Sequence, residues 1–421
     1  MPEFPFLNQQ DHPSWSQLTP DRIKPEISLA LDRAEKNLDA IRALQANELT
    51  FQNTVCALEQ ASNDLDYAWG LVSHLDSVSN SSDLRKAHNE MLPKVSEFGA
   101  KIPLDSKLWA AILGYSQTEH AQSLSPIDRR LLEETLADFQ ESGADLPDDK
   151  KKRLEKISAE LAQATQQFSE RVLDATNDWH LVVKEEEKLK GLPESAKEAA
   201  RIAAIEKLGE NEGGNAWVFT LHAPSLVPAL QYLDDEQLRK EIWLASDALG
   251  CVDPFNNQEL VAQILTLRHE KARILGKEDF SEVALSRRMA KSGKTADQFV
   301  SQLHLKTLPF FQRENEELEA YKAEKTSQDP DTLEPWEVGY WSEKLKKESY
   351  DFDEEDLRPY FPIQSVLDGM FSLVAQVFGL KIVERNTIHD GKTYAHSKQG
   401  GEPVEVWHSD VRFYEIGRAH V

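Results

Sequence analysis

Apolar residues along this chain recur at intervals of three and four more often than they alternate. From Ile27 the positions Leu31, Ala34, Leu38 and Ile41 step in that way, and Leu154, Ile157, Leu161, Ala164, Phe168 and Val172 repeat the pattern. Polar residues such as Glu155, Glu160 and Gln163 take the opposite face. One dry stripe on an otherwise wet cylinder predicts amphipathic helices packed through a single side. Start signals agree. Thr19-Pro20 and Ser125-Pro126 each set a hydroxyl before a proline at the first helical position, where a missing N–H costs nothing. Thr295 with Gln298, and Asp234 with Gln237, have the spacing at which a cap and the third helical residue satisfy each other's free N–H groups.

Glycine and proline mark the breaks. Residues 141–149 read as an acidic loop, 209–215 as a flexible turn, and 325–335 as a polar loop with two prolines. Two regions leave the helical pattern. Residues 215–221 (Asn-Ala-Trp-Val-Phe-Thr-Leu) favour a strand. Near the end, 380–384, 393–396 and 404–415 are short β-rich runs separated by Asp390-Gly391 and Gly400-Gly401. They predict a small antiparallel meander on a helical body, so the expected fold class is mainly α. There is no internal repeat or low-complexity tract.

Composition narrows the function. The chain has 421 residues, with 48 Lys and Arg against 73 Asp and Glu, a formal net charge of −25. That charge opposes binding to nucleic acid, which needs cations to displace counterions from phosphate, and docking on anionic membranes. The opening Met1-Pro2-Glu3-Phe4-Pro5 lacks the basic-then-apolar pattern of a secretory leader. No apolar run approaches the ~20 residues of a bilayer span; the best, 369–380, is interrupted by Ser372 and Gln376. Cys56 and Cys251 are the two cysteines, too few for a disulfide framework, which fits a reducing cytoplasm.

Most motif-like stretches are incomplete. In His269-Glu270-Lys271-Ala272-Arg273 the fifth position, where a zinc helix needs a second imidazole, is a guanidinium that cannot ligate metal. The stretch reads as a charged helix face. Gly293-Lys294-Thr295 and Gly391-Lys392-Thr393 end like phosphate loops, but Arg288 and Asn386 stand where the first glycine belongs. Residues 351–356 start like a calcium loop, yet Asp356 replaces the turn glycine and Pro362 the closing glutamate. His389, His396 and His408 fall in the expected sheet and form a possible divergent metal site, against the plainer reading of surface or core histidines.

Longer blocks are more specific. Residues 217–232 (WVFTLHAPSLVPALQY), 257–290 (NQELVAQILTLRHEKARILGKEDFSEVALSRRMA), 333–345 (LEPWEVGYWSEKL), 357–380 (LRPYFPIQSVLDGMFSLVAQVFGL) and 406–415 (VWHSDVRFYE) together resemble the thimet-oligopeptidase-like family of zinc metallopeptidases, in its oligopeptidase A-like branch. The likeness runs from about Phe6 to Glu415. It implies a helical, two-lobed body around a channel that admits short peptides, working in cytoplasmic peptide turnover. It also implies one zinc on a His-Glu-x-x-His helix and a later Glu, with the motif Glu activating a zinc-bound water. In the family that helix follows the strand matched at 406–415. No His-Glu-x-x-His occurs in this chain. The resemblance therefore implies the N-terminal portion of such an enzyme: inactive alone, with no catalytic or zinc-binding residue to assign and no zinc expected on it, although zinc serves the full-length family.

The implied organisation is an N-terminal helical region at 1–150, a central helical region of the same lobe at 151–335, and the start of a catalytic region at 336–415. Residues 416–421, with Glu415, resemble translated read-through of a sequencing adapter and are expected to be a non-native tail. A strand over 404–415 would then lack its returning partner, and helical faces meant for the catalytic half would stay wet. Trp336 and Tyr340, one helical turn apart, and Arg358 and Tyr360 before the next block, are the candidate substrate-channel residues. Core packing and a capping loop are the plainer readings of these two pairs. The alternative function is a non-catalytic helical module that binds peptides or a partner protein.

Overall fold

The computed structural model describes residues 3–395 and 402–418. These are mainly helical, with seven short strands, and the chain divides into two compact units. One takes Met1–Gln163, Thr266–Val283 and Leu367–Val421; the other takes Ala164–Leu265 and Ala284–Val366.

The first unit begins with α1 (Pro20–Arg42), α2 (Ala57–Gln60), α3 (Asn63–Val78), α4 (Ser82–Lys101), α5 (Ser106–Ser116), α6 (Glu119–Gln122), α7 (Pro126–Ser142) and the first half of α8 (Asp148–Asp178). On α1 the buried apolar positions are Ile23, Ile27, Ala30, Ala34, Leu38 and Ile41; Ile27, Ala34, Leu38 and Ile41 are on the stripe that the spacing predicts, while its Leu31 is half-buried and packs at the core's edge. The helix packs on α3 and α4 around Phe6, Leu65, Val72 and Met91. Glu26 lies at the edge of this core, only 2% exposed, and accepts the Phe6 N–H at 2.7 Å. Burial pushes its carboxyl above the usual range, offset in part by the N–H of Phe6 and by Arg22. Ser125 caps α7 through the Asp128 N–H, as its place before Pro126 predicts. Thr19 precedes α1 without a side-chain cap bond to it.

The second unit holds the rest of α8, α9 (Glu194–Leu208), α10 (Glu210–Gly213), α11 (Ala223–Tyr232), α12 (Glu236–Asp247), the start of α13 (Gln258–Ile274), the end of α14 (Phe280–Leu285), α15 (Gly293–Thr326) and α16 (Pro335–Tyr350). The strand expected at 215–221 is β2 (Trp217–Thr220). It pairs antiparallel with β1 (His180–Val183), which the helical reading of the neighbouring sequence hides. Val183, Leu189, Phe219, Leu233 and Ile242 form the core beneath this ribbon. Two caps differ from expectation. Ser292, not Thr295, caps α15, and Asp235, not Asp234, caps α12 by accepting the Leu238 N–H. The turn at 209–215 contains α10.

The C-terminal sheets differ in detail from a simple meander. In the first unit β3 (Leu380–Arg385) pairs antiparallel with β7 (Phe413–Arg418), in register from Leu380 opposite Arg418 to Arg385 opposite Phe413. Separately, β4 (Thr387–His389) and β5 (Lys392–Tyr394) form a hairpin, and β6 (Val404–Glu405) lies parallel to β4. Asp390 and Gly391 at the hairpin both have positive φ, 48° and 72°, the backbone that an Asp-Gly turn favours. The single strand expected over 404–415 is thus two, interrupted at 406–412, and β7 has a partner. The pairing uses backbone groups that any sequence carries, which is why it takes in Ile416, Gly417 and Arg418. His396, the Gly400-Gly401 turn and residues 419–421 lie outside the described residues.

Two helices carry wet apolar faces. On α15 the buried residues are Leu318 and Ala323, while Phe299, Leu303, Leu305, Phe310 and Phe311 are each more than half exposed. On α17 (Ile363–Phe378) no residue is buried, and Ile363, Leu373, Val377 and Phe378 stand in solvent.

One glycine in the second unit is demanded by a close approach. Gly191 has φ +89°, and a Cβ there would lie 2.2 Å from the Tyr232 carbonyl oxygen. Gly191→Ala should destabilise the protein by about 3 kcal/mol, read as a lowered urea midpoint by tryptophan fluorescence. An unchanged midpoint would mean that the loop at 190–193 does not hold this conformation.

Candidate functional site: a cleft beside α16

The local sequence fixes where α16 starts. Pro335 supplies a pre-set φ at its first position, and the Glu337 carboxylate reaches back to accept the Glu334 N–H at 3.0 Å. The helix ends at Tyr350, followed by Asp351 in the left-handed region at φ 47°. The i, i+4 spacing puts Trp336 and Tyr340 on one side of it, and both meet α12.

Their meeting point is Arg239, 2% exposed. Its Nη1 donates to the carbonyl oxygens of Leu233, at 2.6 Å, and Asp234, at 3.2 Å, and its Nε to that of Trp336 at 3.2 Å. The guanidinium carbon lies 4.0 Å from the centre of the Tyr340 ring. Burial lowers its pKa from the ordinary arginine value, but a guanidinium remains charged throughout the physiological range. The Asp234 side chain faces the other way. Its Oδ1 accepts the Tyr340 hydroxyl at 2.8 Å and the Lys344 ammonium at 3.2 Å. Burial alone would raise that carboxyl. The donors Tyr340 and Lys344, with the charges of Lys344 and Lys190, outweigh it and hold the pKa below the usual value. Burial and the Asp234 bond push the Tyr340 phenol up.

Next to this network a cleft of about 640 Å³ opens within the second unit. Ser195, Tyr232, Tyr321, Lys344, Lys347 and Glu355 are among its walls. Its charges come largely in pairs: Lys347 with Asp353 at 2.6 Å, and Lys325 with Glu348 at 2.7 Å. Tyr321 donates to Glu348 at 2.8 Å, and burial together with that carboxylate pushes the phenol up to about 12. Such a wall offers hydrogen bonds and aromatic surface to a polar chain rather than a field of one sign.

Of the four sequence candidates, the fold joins Trp336 and Tyr340 in the Arg239 network. Tyr340 is 8% exposed. Trp336 is half-buried, edge-on to Trp243 at 5.9 Å, with the Lys240 ammonium 4.6 Å from its ring centre. Arg358 and Tyr360 do not join that network. Arg358 forks onto Glu355, which also accepts the Ser195 hydroxyl, and Tyr360 is 78% exposed. None of the four lines the cleft; Glu343, Lys344 and Lys347 of α16 do. Sequence reasoning missed Asp234, Ser195 and Tyr321. Asp234 had a signal: of an Asp-Asp pair before a helix only one can be the cap, so the other is free for a second role.

Zinc takes three or four convergent His, Cys or carboxylate donors. Among the described residues no three such side chains converge. His389 and His408 lie 6.0 Å apart, centre to centre, but His389 Nδ1 is 3.2 Å from the Val406 carbonyl oxygen and His408 Nδ1 accepts the Asp410 N–H. Glu270, beside His269, is gripped by Arg153 through two hydrogen bonds of 2.6 and 2.5 Å. The described donor sets do not fit zinc.

A mainly helical body with small appended sheets is a frame that many activities share, so sequence similarity decides the class. Residues 229–420 match peptidase family M3, and residues 26–151 match the neurolysin/thimet oligopeptidase N-terminal domain. The chain thus carries peptidase M3 and neurolysin/thimet oligopeptidase N-terminal domain sequence, each match taking less than half of it. It is similar to oligopeptidase A of Haemophilus influenzae, 33% identical over 417 residues that cover 98% of this chain and 58% of the relative. It is 32% identical to oligopeptidase A of Escherichia coli over the same shares. A probable cytosolic oligopeptidase A of Arabidopsis thaliana is 30% identical, over 97% of this chain and 56% of the relative. The chain thus spans less than two thirds of the length of these relatives.

Tyr340→Phe removes one donor from Asp234. A carboxyl whose folded pKa is depressed adds stability above its unfolded pKa and loses it as pH falls through the folded value. The variant should therefore be less stable by about 2 kcal/mol at pH 7, with the gap to the parent closing as the solution is acidified below about pH 4. Urea unfolding across that range is the measurement. A gap that stays constant with pH would show that the hydroxyl acts through packing and not through the carboxylate.

Proposed function

We propose that this chain is the N-terminal portion of a zinc-dependent oligopeptidase that hydrolyses short peptides in the cytosol, and that it is inactive alone. The similarity to oligopeptidase A across 98% of the chain carries the reading. In this reading the His-Glu-x-x-His helix belongs to the length of the relatives that this chain does not span, since the motif is absent from its 421 residues. The wet faces of α15 and α17 support the same assignment. Phenylalanines and leucines left more than half in water are the surface that the remaining polypeptide would cover. Residues 1–150 and 151–335 then build the helical wall of the peptide channel, and 336–415 open the catalytic region.

Trp336, Tyr340, Arg358 and Tyr360 take different parts in this proposal. Trp336 and Tyr360 have exposed ring surface for an apolar peptide side chain. Tyr340 and Arg358 act one step back, orienting Asp234 and Glu355 at the border of the cleft. No helix of the described residues is long and apolar enough to cross a membrane, and the Arabidopsis relative is named as a probable cytosolic protein.

The complete coding region, expressed and assayed on an internally quenched short peptide, should give hydrolysis that a chelator abolishes and zinc restores. The 421-residue chain should give none. Metal-dependent hydrolysis by the 421-residue chain alone would overturn its assignment as an inactive portion. A complete protein that binds the peptide without cutting it would favour the non-catalytic binding module.

A further inference from the structure

The small sheet β5–β4–β6 should not hold together by itself. Its strands are three, three and two residues long, too short for an independent sheet. Yet Thr387, Val404 and Val406 are all at most 5% exposed. Something outside the sheet keeps them dry, and the first unit contains it. The N-terminal segment before α1 is pinned at one end by Phe6, fully buried in the α1–α3–α4 core. At its other end the Ser16 N–H donates to Glu405 of β6 at 2.5 Å, and Trp15 lies edge-on to Trp407 with ring centres 4.8 Å apart. His74 of α3 stands perpendicular to the same Trp407 ring, at 85° and 4.3 Å. A pocket of about 200 Å³ marks this seam, lined from one side by Trp15, Ser16 and Leu75 and from the other by Glu405, Val406 and Trp407.

The Nε2 atom of His74 is buried and has no conventional hydrogen-bond partner among the described residues. A buried ring nitrogen left bare is costly. The Trp407 ring stands perpendicular to this imidazole at 4.3 Å between centres, so an N–H to π contact is open to Nε2.

We propose that Trp15 and His74 form a latch on Trp407, so that the order of β4, β5 and β6 is conditional on the N-terminal segment. The latch is independent of any peptidase activity, because every group in it belongs to the described chain. Hydrogen exchange on the 421-residue chain tests it. The Val404 and Val406 N–H groups, bonded to the carbonyls of Asn386 and Ile388, are the reporters. Trp15→Ala should speed their exchange by at least about tenfold while α5 exchanges as before. Trp15→Phe, which keeps an aromatic edge, should restore protection to within about threefold of the parent. His74→Phe keeps a ring but loses the N–H, and should also speed exchange at Val404 and Val406. Unchanged exchange in Trp15→Ala overturns the latch. So does an equal rise throughout α5, which would mean general loosening. Full protection in His74→Phe overturns the role of the imidazole donor.

Discussion

Arg239 is a cation taken almost wholly out of water, and the described hydrogen bonds of its guanidinium go to carbonyl oxygens instead of a carboxylate. Burying such a charge costs several kcal/mol unless its donors are satisfied. Here two carbonyls from the turn before α12, one from the first turn of α16, and the face of Tyr340 do so. That requirement fixes the position of α16 against α12. The Asp234 carboxylate in turn binds Tyr340 and Lys344, and Lys344 lines the neighbouring cleft. A lysine could not substitute: its point charge lacks the planar fork that reaches three oxygens while lying flat on a ring.

The hydrophobic effect is spent unevenly in this molecule. Around Phe6, Ile23, Ile27 and Met91 it is complete, with side chains interdigitated and water excluded. On α15 and α17 it is not, although these helices are as apolar as the core elements. Phe310 and Phe311 of α15 are each more than half exposed, next to Pro309, which lies within the helix. Apolar area in water is unused driving force for association.

Much of the fold was legible because helical burial has a simple period. The stripe on α1, the cap at Ser125 and the Asp390-Gly391 hairpin follow from local rules that need only neighbours along the chain. The errors have one common cause. Asp234 and Thr295 are good local caps, but Asp235 and Ser292 do the capping because tertiary contacts or chain direction decide which of two nearby candidates faces the free N–H groups. β1 was missed because four residues after a long helix carry too little alternation to announce a strand. The 404–415 run was read as one strand because its apolar content hides the interruption between β6 and β7. The site was less legible than the fold: Trp336 and Tyr340 could be placed on one helix face, but not their shared dependence on Arg239.

By itself the sequence determined the helical class, the acidic surface, the family resemblance and the absence of a His-Glu-x-x-His helix from these residues. Each is a property of residue identity and spacing, readable one segment at a time. Only the tertiary structure decided that Arg239 replaces a salt-bridge partner with three carbonyls, that Asp234 serves α16 and not its own helix, and that Trp15 meets Trp407 almost four hundred residues away. Those pairings depend on which faces are brought together when apolar stripes leave water, and no periodicity along a chain encodes which distant stripe will be the partner.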